Sequence, residues 1–71
     1  MKPTLGRIIH VFDHTYDGWK AAIVTEVVPF SGTFAATMFR TFQTVEGLRF
    51  YYERENQAVR GGWRWPPREE A

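Results

Sequence analysis

Apolar and polar residues alternate in five short stretches of the chain, and this period of two indicates β-strands. Branched and aromatic side chains dominate these stretches, and both fit a pleated surface better than a helix. Glycine, proline and aspartate separate the stretches at intervals of roughly ten residues, as turns would. The predicted strands cover residues 6–12, 19–28, 33–42, 48–53 and 63–65.

Five short strands at this spacing predict an all-β fold. A length of 71 residues fits a small SH3-like five-stranded barrel better than an OB-like one. We expect residues 1–71 to form a single β-barrel domain, with residues 66–71 as a frayed tail. The edge strands of so small a sheet are open to pairing with another chain, which favours a homo-oligomer.

Strand alternation divides the aromatic side chains between the inside and the outside of this barrel. In the second strand, Lys20 and Glu26 predict that the face they share with Ala22 and Val24 meets water. The rings placed inward are Phe12, Phe34, Phe50, Tyr52, Trp63 and Trp65. The rings left without an inner face, which we expect to contact a second copy or a ligand, are Tyr16, Trp19, Phe39 and Tyr51.

Composition narrows the class of protein. The chain has no cysteine, which excludes disulfides, thiolate metal ligands and a cysteine nucleophile. Its aromatic residues must therefore supply much of the core, since a chain this short buries only about 60% of its surface. No apolar run approaches the roughly 20 residues of a membrane span, and the N-terminus lacks the apolar run of a signal peptide. We expect a cytoplasmic protein that does not contact membranes.

The charged residues are balanced in number but not in kind. The net charge is +1, too small to predict tight, sequence-independent binding to nucleic acid. Seven of the nine basic residues are arginine, whose planar fork holds phosphate or carboxylate with two bonds and stacks on aromatic rings. The structural alternative is that these arginines form surface ion pairs with the glutamates.

Residues for catalysis or for a metal are sparse. Ser31 is the only serine and lies in a predicted turn, and the chain has neither a nucleophile motif nor a phosphate loop. His10 and His14 are four residues apart with Asp13 beside them, but they span a strand end and a turn without a third ligand. We expect no enzyme, no metal and no cofactor.

The second half of the chain interleaves arginine with aromatic residues. Aromatic faces stack on nucleobases and arginine contacts phosphate. Because Trp63 and Trp65 share one face of a short strand, at least one of them is expected to belong to the core, which makes Arg64 the better ligand contact. The predicted ligand-binding residues are His10, Arg49, Tyr51, Arg60, Trp63, Arg64 and Trp65.

Both ends of the chain resemble one group of proteins. The segment GRIIH at residues 6–10 and the segment GWRWP at residues 62–66 are similar to the GRIVHY-like and GxWxWP-like motifs of short, largely uncharacterised proteins of phages and bacteria. Together with the AAIV strand at residues 21–24, these segments extend the resemblance over nearly the whole chain. It implies a phage or prophage origin and a small β-barrel, and it transfers no catalytic residue.

Two functions remain open at this point. The first is a non-catalytic, homo-oligomeric phage protein that sequesters a small nucleotide-like anion and so counters a host defence signal. The second is an SH3-like interaction module or virion accessory protein that binds a host or virion protein. Weak binding of single-stranded nucleic acid is the least favoured reading. The groove of the interaction module would contain Tyr16, Trp19, Tyr51 and Tyr52.

Overall fold

The computed structural model describes residues 2–67, and this part of the chain is all-β, as predicted. Residues 68–71 of the predicted tail lie outside the described residues. Two short 3-10 turns, Pro29–Ser31 and Tyr52–Arg54, follow the second and fourth strands. The strands are β1 (Ile8–Asp13), β2 (Gly18–Val28), β3 (Thr33–Phe39), β4 (Thr44–Tyr51) and β5 (Trp63–Arg64).

The five strands form one antiparallel sheet in the order β4-β3-β2-β1-β5. The ladder is open between the edge strands β4 and β5, so the predicted barrel is not closed by strand pairing. The sheet nevertheless curls until its edges approach each other. The indole Nε1–H of Trp63 in β5 donates to the carbonyl of Tyr51 at the end of β4 (3.0 Å), and a single bridge joins Glu55 to Trp63.

Aromatic rings pack across this curled sheet and hold its two edges together. Phe34 of β3 lies 5.6 Å from the ring of Phe50, 5.5 Å from Trp63 and 5.3 Å from Tyr52, measured between ring centres. Phe34, Phe50 and Trp63 are buried, as predicted, while Tyr52 and Trp65 are partly buried against them. The core therefore depends on contacts between strands that are distant in the sequence.

The predicted faces of β1 and β2 are wrong. Ile9 and Val11 are the buried residues of β1, while Phe12 lies on the opposite face against Trp19. In β2 the face predicted to meet water is the core face, because Ala22 and Val24 are buried. The two charged residues that had predicted a water-exposed face, Lys20 and Glu26, are accommodated for local reasons. Lys20 lies near the end of the sheet, and the pairing register shifts between Val24 and Glu26, which releases Glu26 from the buried face.

The bounds of β3 and β4 also differ from the prediction. β3 ends at Phe39, and β4 begins at Thr44, four residues earlier than expected. The Glu46-Gly47 pair, which had predicted a turn, lies within β4 where the register to β3 shifts. Gly47 has a φ of 72°, a conformation that glycine adopts without strain and that bulges use. The turn between β3 and β4 is instead closed by the backbone N–H of Arg40, which donates to the carbonyl of Gln43 (2.8 Å).

Candidate functional site

The strand order brings the two hairpin turns at residues 14–17 and 40–43 to the same end of the sheet. A buried ion pair joins them there. The Arg40 guanidinium donates from Nε to Asp13 Oδ2 (2.8 Å) and from Nη2 to Asp13 Oδ1 (3.0 Å). The backbone N–H of Thr15 adds a bond to the same carboxylate (3.2 Å). The hydrogen bonds from Arg40 lower the pKa of Asp13 below its ordinary value of 3.8, against the opposing effect of burial.

An open cleft with a volume of about 600 Å³ lies in the gap between β4 and the end of β1. We call it the arginine cleft, because four arginines line it. It continues from the buried ion pair along β4 to the loop that precedes β5. The residues of the arginine cleft used below are Asp13, Arg40, Arg49, Tyr51, Arg54 and Arg60.

The four arginines of this cleft differ in how far their charge is already neutralised. Arg40 is held by Asp13, and Arg49 is bound to the exposed carboxylate of Glu26 (2.9 Å). Arg54 lies over the ring of Tyr51 at 5.5 Å, and its buried Nε has no hydrogen-bond partner in the described part of the chain. Within residues 2–67, no carboxylate forms an ion pair with Arg54 or Arg60. Among the described residues, the cleft therefore has two arginines without an ion-pair partner beside an aromatic ring.

A second cleft, of about 450 Å³, opens between the two hairpin turns. We call it the tip cleft. It contains two cations, Lys20 and Arg40, and two exposed rings. The ring of Tyr16 lies under the Arg40 guanidinium at 4.8 Å, and the Phe42 residue is 97% exposed. The residues of the tip cleft are Tyr16, Lys20, Arg40, Thr41, Phe42 and Gln43.

A separate group of side chains lies on the sheet face opposite the core, and we call it the outer-face cluster: His10, Trp19 and Arg64. The Arg64 guanidinium stacks over Trp19 at 4.4 Å, and its Nη2 lies 3.4 Å from Nδ1 of His10. Burial, and then the charge of Arg64, lower the pKa of His10 below 6.5, so its imidazole is neutral at pH 7 and can accept this bond. The buried Nε of Arg64, like that of Arg54, has no hydrogen-bond partner in the described part of the chain.

The seven predicted ligand contacts fall into three places. Arg49, Tyr51 and Arg60 come together in the arginine cleft. His10 and Arg64 meet in the outer-face cluster. Trp63 is buried in the core, so it presents no surface to a ligand. Trp65 packs partly buried against the core, with Arg7 over its ring at 5.8 Å.

The predicted contact surface for a second copy is divided as well. Tyr16 lies in the tip cleft, and Trp19 lies under Arg64. Phe39 is 41% exposed near the end of β3. Of the residues proposed for the groove of a protein-interaction module, Tyr51 lines the arginine cleft and Tyr16 the tip cleft. Trp19 lies under Arg64, and Tyr52 packs against Phe34.

Sequence reasoning missed Asp13, Arg40 and Arg54 as parts of a site. A signal for Arg40 was available: it lies on the same predicted strand face as the apolar Ala36 and Met38, and a charged side chain there needs a buried partner. Nothing in the sequence pointed to Arg54, whose place depends on the path of the loop after β4.

A scan against protein-family models, a search of curated proteins and a search of solved structures each found no match for this chain. Among residues 2–67, no helix is long and apolar enough to cross a membrane. The same residues contain no group of three His, Asp or Glu side chains arranged to hold a metal ion.

Proposed function

We propose that this protein is a non-catalytic binder of a small nucleotide-like anion, and that the arginine cleft is its binding site. One observation carries the proposal: Arg54 and Arg60 lack carboxylate partners within residues 2–67 and lie in a cleft beside the half-exposed ring of Tyr51. Guanidinium groups bind phosphate with paired, charge-assisted bonds, and a tyrosine face stacks on a base. The volume of the cleft falls within the usual range of small-molecule sites.

The residues of the cleft favour binding over chemistry. Asp13 is the carboxylate within it, and Arg40 and the Thr15 N–H already occupy its oxygens. A low pKa keeps this carboxylate ionised and bound to Arg40, so it is not available as a general base. A protein that binds such a ligand without cleaving it would lower the free concentration of that ligand. The resemblance to phage proteins supports a role in sequestering a host signal.

The proposal includes self-association, for which the exposed edge of β4 and the exposed ring of Phe39 are the supporting observations. Sedimentation velocity at several protein concentrations tests this part separately. A sedimentation coefficient that stays at the value of an 8.3 kDa monomer would remove it without affecting the ligand site.

A titration with nucleotides tests the ligand site. Wild-type protein is titrated calorimetrically with 5′-mononucleotides, cyclic di- and trinucleotides and ADP-ribose, and material released from the denatured protein is identified by mass spectrometry. We expect at least one compound to bind and to raise the Tm. A ligand at 100 times its Kd should add about 2.7 kcal/mol to the free energy of unfolding.

A matched pair of variants separates specific binding from general attraction. Arg60→Gln and Arg7→Gln remove the same charge from exposed positions, but only Arg60 lines the cleft. We expect Arg60→Gln to weaken binding about tenfold, which corresponds to loss of one charge-assisted contact, while Arg7→Gln leaves it unchanged. Equal effects of both variants, or no binding of any nucleotide, would contradict the proposal.

The second candidate is a protein-interaction module, and the open edge of β4 favours it. The backbone of an edge strand can pair with an extended peptide. Affinity capture from host lysate would recover a partner protein under this reading. Recovery of nucleotides alone, or of nothing, counts against it.

A further inference from the structure

The arginine cleft and the tip cleft share one side chain, Arg40. Its nitrogens bind Asp13 on one side, and its guanidinium plane lies over the Tyr16 ring at 4.8 Å. The ion pair holds Arg40 in place, so the position at which the two clefts meet does not depend on a mobile surface side chain. Arg40 therefore lies where a ligand that reached both clefts would cross from one to the other.

The two clefts repeat the same set of groups. Each contains an exposed tyrosine with an arginine over its ring, Arg54 over Tyr51 at 5.5 Å and Arg40 over Tyr16 at 4.8 Å. Each also contains a further cation without an ion-pair partner in the described residues, Arg60 in the first cleft and Lys20 in the second.

The tip cleft adds a feature that a purely structural turn does not need. Phe42 is 97% exposed and Tyr16 is 65% exposed, and both stand beside two cations. Single exposed apolar residues are normal on a protein surface, but two exposed rings that line one cleft with two cations suit the base and the phosphate of a nucleotide.

We propose that the two clefts together bind the two halves of one linear dinucleotide, with one base against Tyr51, the other against Tyr16, and the connecting phosphate near Arg40. This inference rests on the proposed function, because it takes the arginine cleft to be a nucleotide site. It extends that function by naming a ligand with two bases joined by a phosphodiester.

Ligand length is the first test. Thymidine 5′-monophosphate, the 5′-phosphorylated dinucleotide pTpT and a four-residue glutamate peptide are titrated into the full chain by calorimetry. We expect pTpT to bind at least tenfold more tightly than the mononucleotide, and the peptide to bind more weakly than either. A glutamate peptide that binds as tightly as pTpT would overturn the inference in favour of an acidic peptide ligand.

Variants of the tip cleft provide the second test. Lys20→Gln and Tyr16→Leu should each lower the affinity for pTpT about tenfold, and they should lower the affinity for the mononucleotide by less. Lys2→Gln is the matched control, because Lys2 lies over Tyr52, outside both clefts. Thermal melts of each variant confirm that it is folded.

The outcomes separate this inference from the function on which it rests. If the mononucleotide binds and Arg60→Gln weakens it, but pTpT binds no more tightly, the dinucleotide inference fails and the proposed function stands. If neither nucleotide binds, both fail. If Lys20→Gln and Lys2→Gln weaken pTpT equally, the tip cleft is not part of the site and the inference fails.

Discussion

The hairpin tips and the exposed rim of the arginine cleft each contain an arginine bound to a carboxylate, with nearly the same distance between the charged atoms. The pair of Arg40 and Asp13 measures 2.8 Å, and the pair of Arg49 and Glu26 measures 2.9 Å. Their surroundings differ. The Asp13 side chain is 1% exposed and Arg40 19%, whereas both side chains of the second pair are more than half exposed.

The two ion pairs differ in burial and not in distance, and burial is what sets their expected contributions to stability apart. Water screens the exposed pair, and such pairs contribute about 0–1 kcal/mol. At the hairpin tips, removing one partner would leave the other charge with little access to water. The buried pair therefore has a structural task, since it joins the two hairpins. Arg49 can exchange its exposed partner for a ligand, whereas Arg40 stays bound to Asp13 and can contact a ligand only through its remaining N–H groups.

The largest expected effect comes from removing the buried carboxylate. Asp13→Ala leaves Arg40 unpaired and the Thr15 N–H without its acceptor. We expect a loss of about 2–3 kcal/mol, at or below the lower end of the range for broken buried pairs, because Arg40 still touches water. Chemical denaturation measures it, with Glu26→Ala as the matched control at 0–1 kcal/mol. Equal losses in the two variants would mean that burial does not distinguish the pairs.

Protonation of Asp13 at low pH should destabilise the protein by less than Asp13→Ala does, because the protonated side chain still fills its site. The pKa of Asp13 is lowered in the folded protein, so its ionised form stabilises the fold. That contribution is complete above the ordinary pKa of 3.8 and is lost as the pH falls through the lower pKa of the folded state. We expect the Tm of wild-type protein to fall across this window. The Tm of Asp13→Asn should fall less steeply, and parallel curves would contradict the assignment.

A third change keeps the charge and removes the geometry. Arg40→Lys retains a cation but loses the planar fork that bonds both oxygens of Asp13. We expect the Tm to fall, by less than in Asp13→Ala. In Arg49→Lys, which makes the same exchange in the exposed pair, the Tm should not change. If both lysine variants have the Tm of the wild type, a single positive charge without the planar fork is sufficient to hold the hairpin tips together.

Strand alternation predicted the all-β class and the buried rings of β3, β4 and β5, and it assigned the wrong faces of β1 and β2 to the core. Phe34, Phe50 and Trp63 followed the period of two and are buried. The face of β2 was assigned from charges at its two ends. A register shift inside a strand is not visible in a period of two, so the position of Glu26 misled that assignment.

The candidate site was predictable only where its residues belong to one regular strand. Arg49 and Tyr51 are outward residues of one strand, and alternation alone placed them together. The junction of Asp13 with Arg40 crosses 27 residues of chain and exists because the strand order sets both hairpin turns at one end. Strand order follows from which faces pack best in three dimensions, and the local pattern does not contain it.

The smallest expected effect is the most informative about function, because it separates stability from binding at the exposed pair. Glu26→Gln removes the carboxylate that holds Arg49, and the stability should change by less than about 1 kcal/mol. The released guanidinium no longer has to leave a partner to contact an anion in the arginine cleft. We therefore expect the calorimetric affinity for a mononucleotide to rise roughly two- to threefold, a fraction of 1 kcal/mol. Glu53→Gln removes a carboxylate for which the structure shows no ion pair within residues 2–67, and it should leave the affinity unchanged. A rise of equal size in both variants would reflect net charge alone, and Arg49 would then have no specific part in binding.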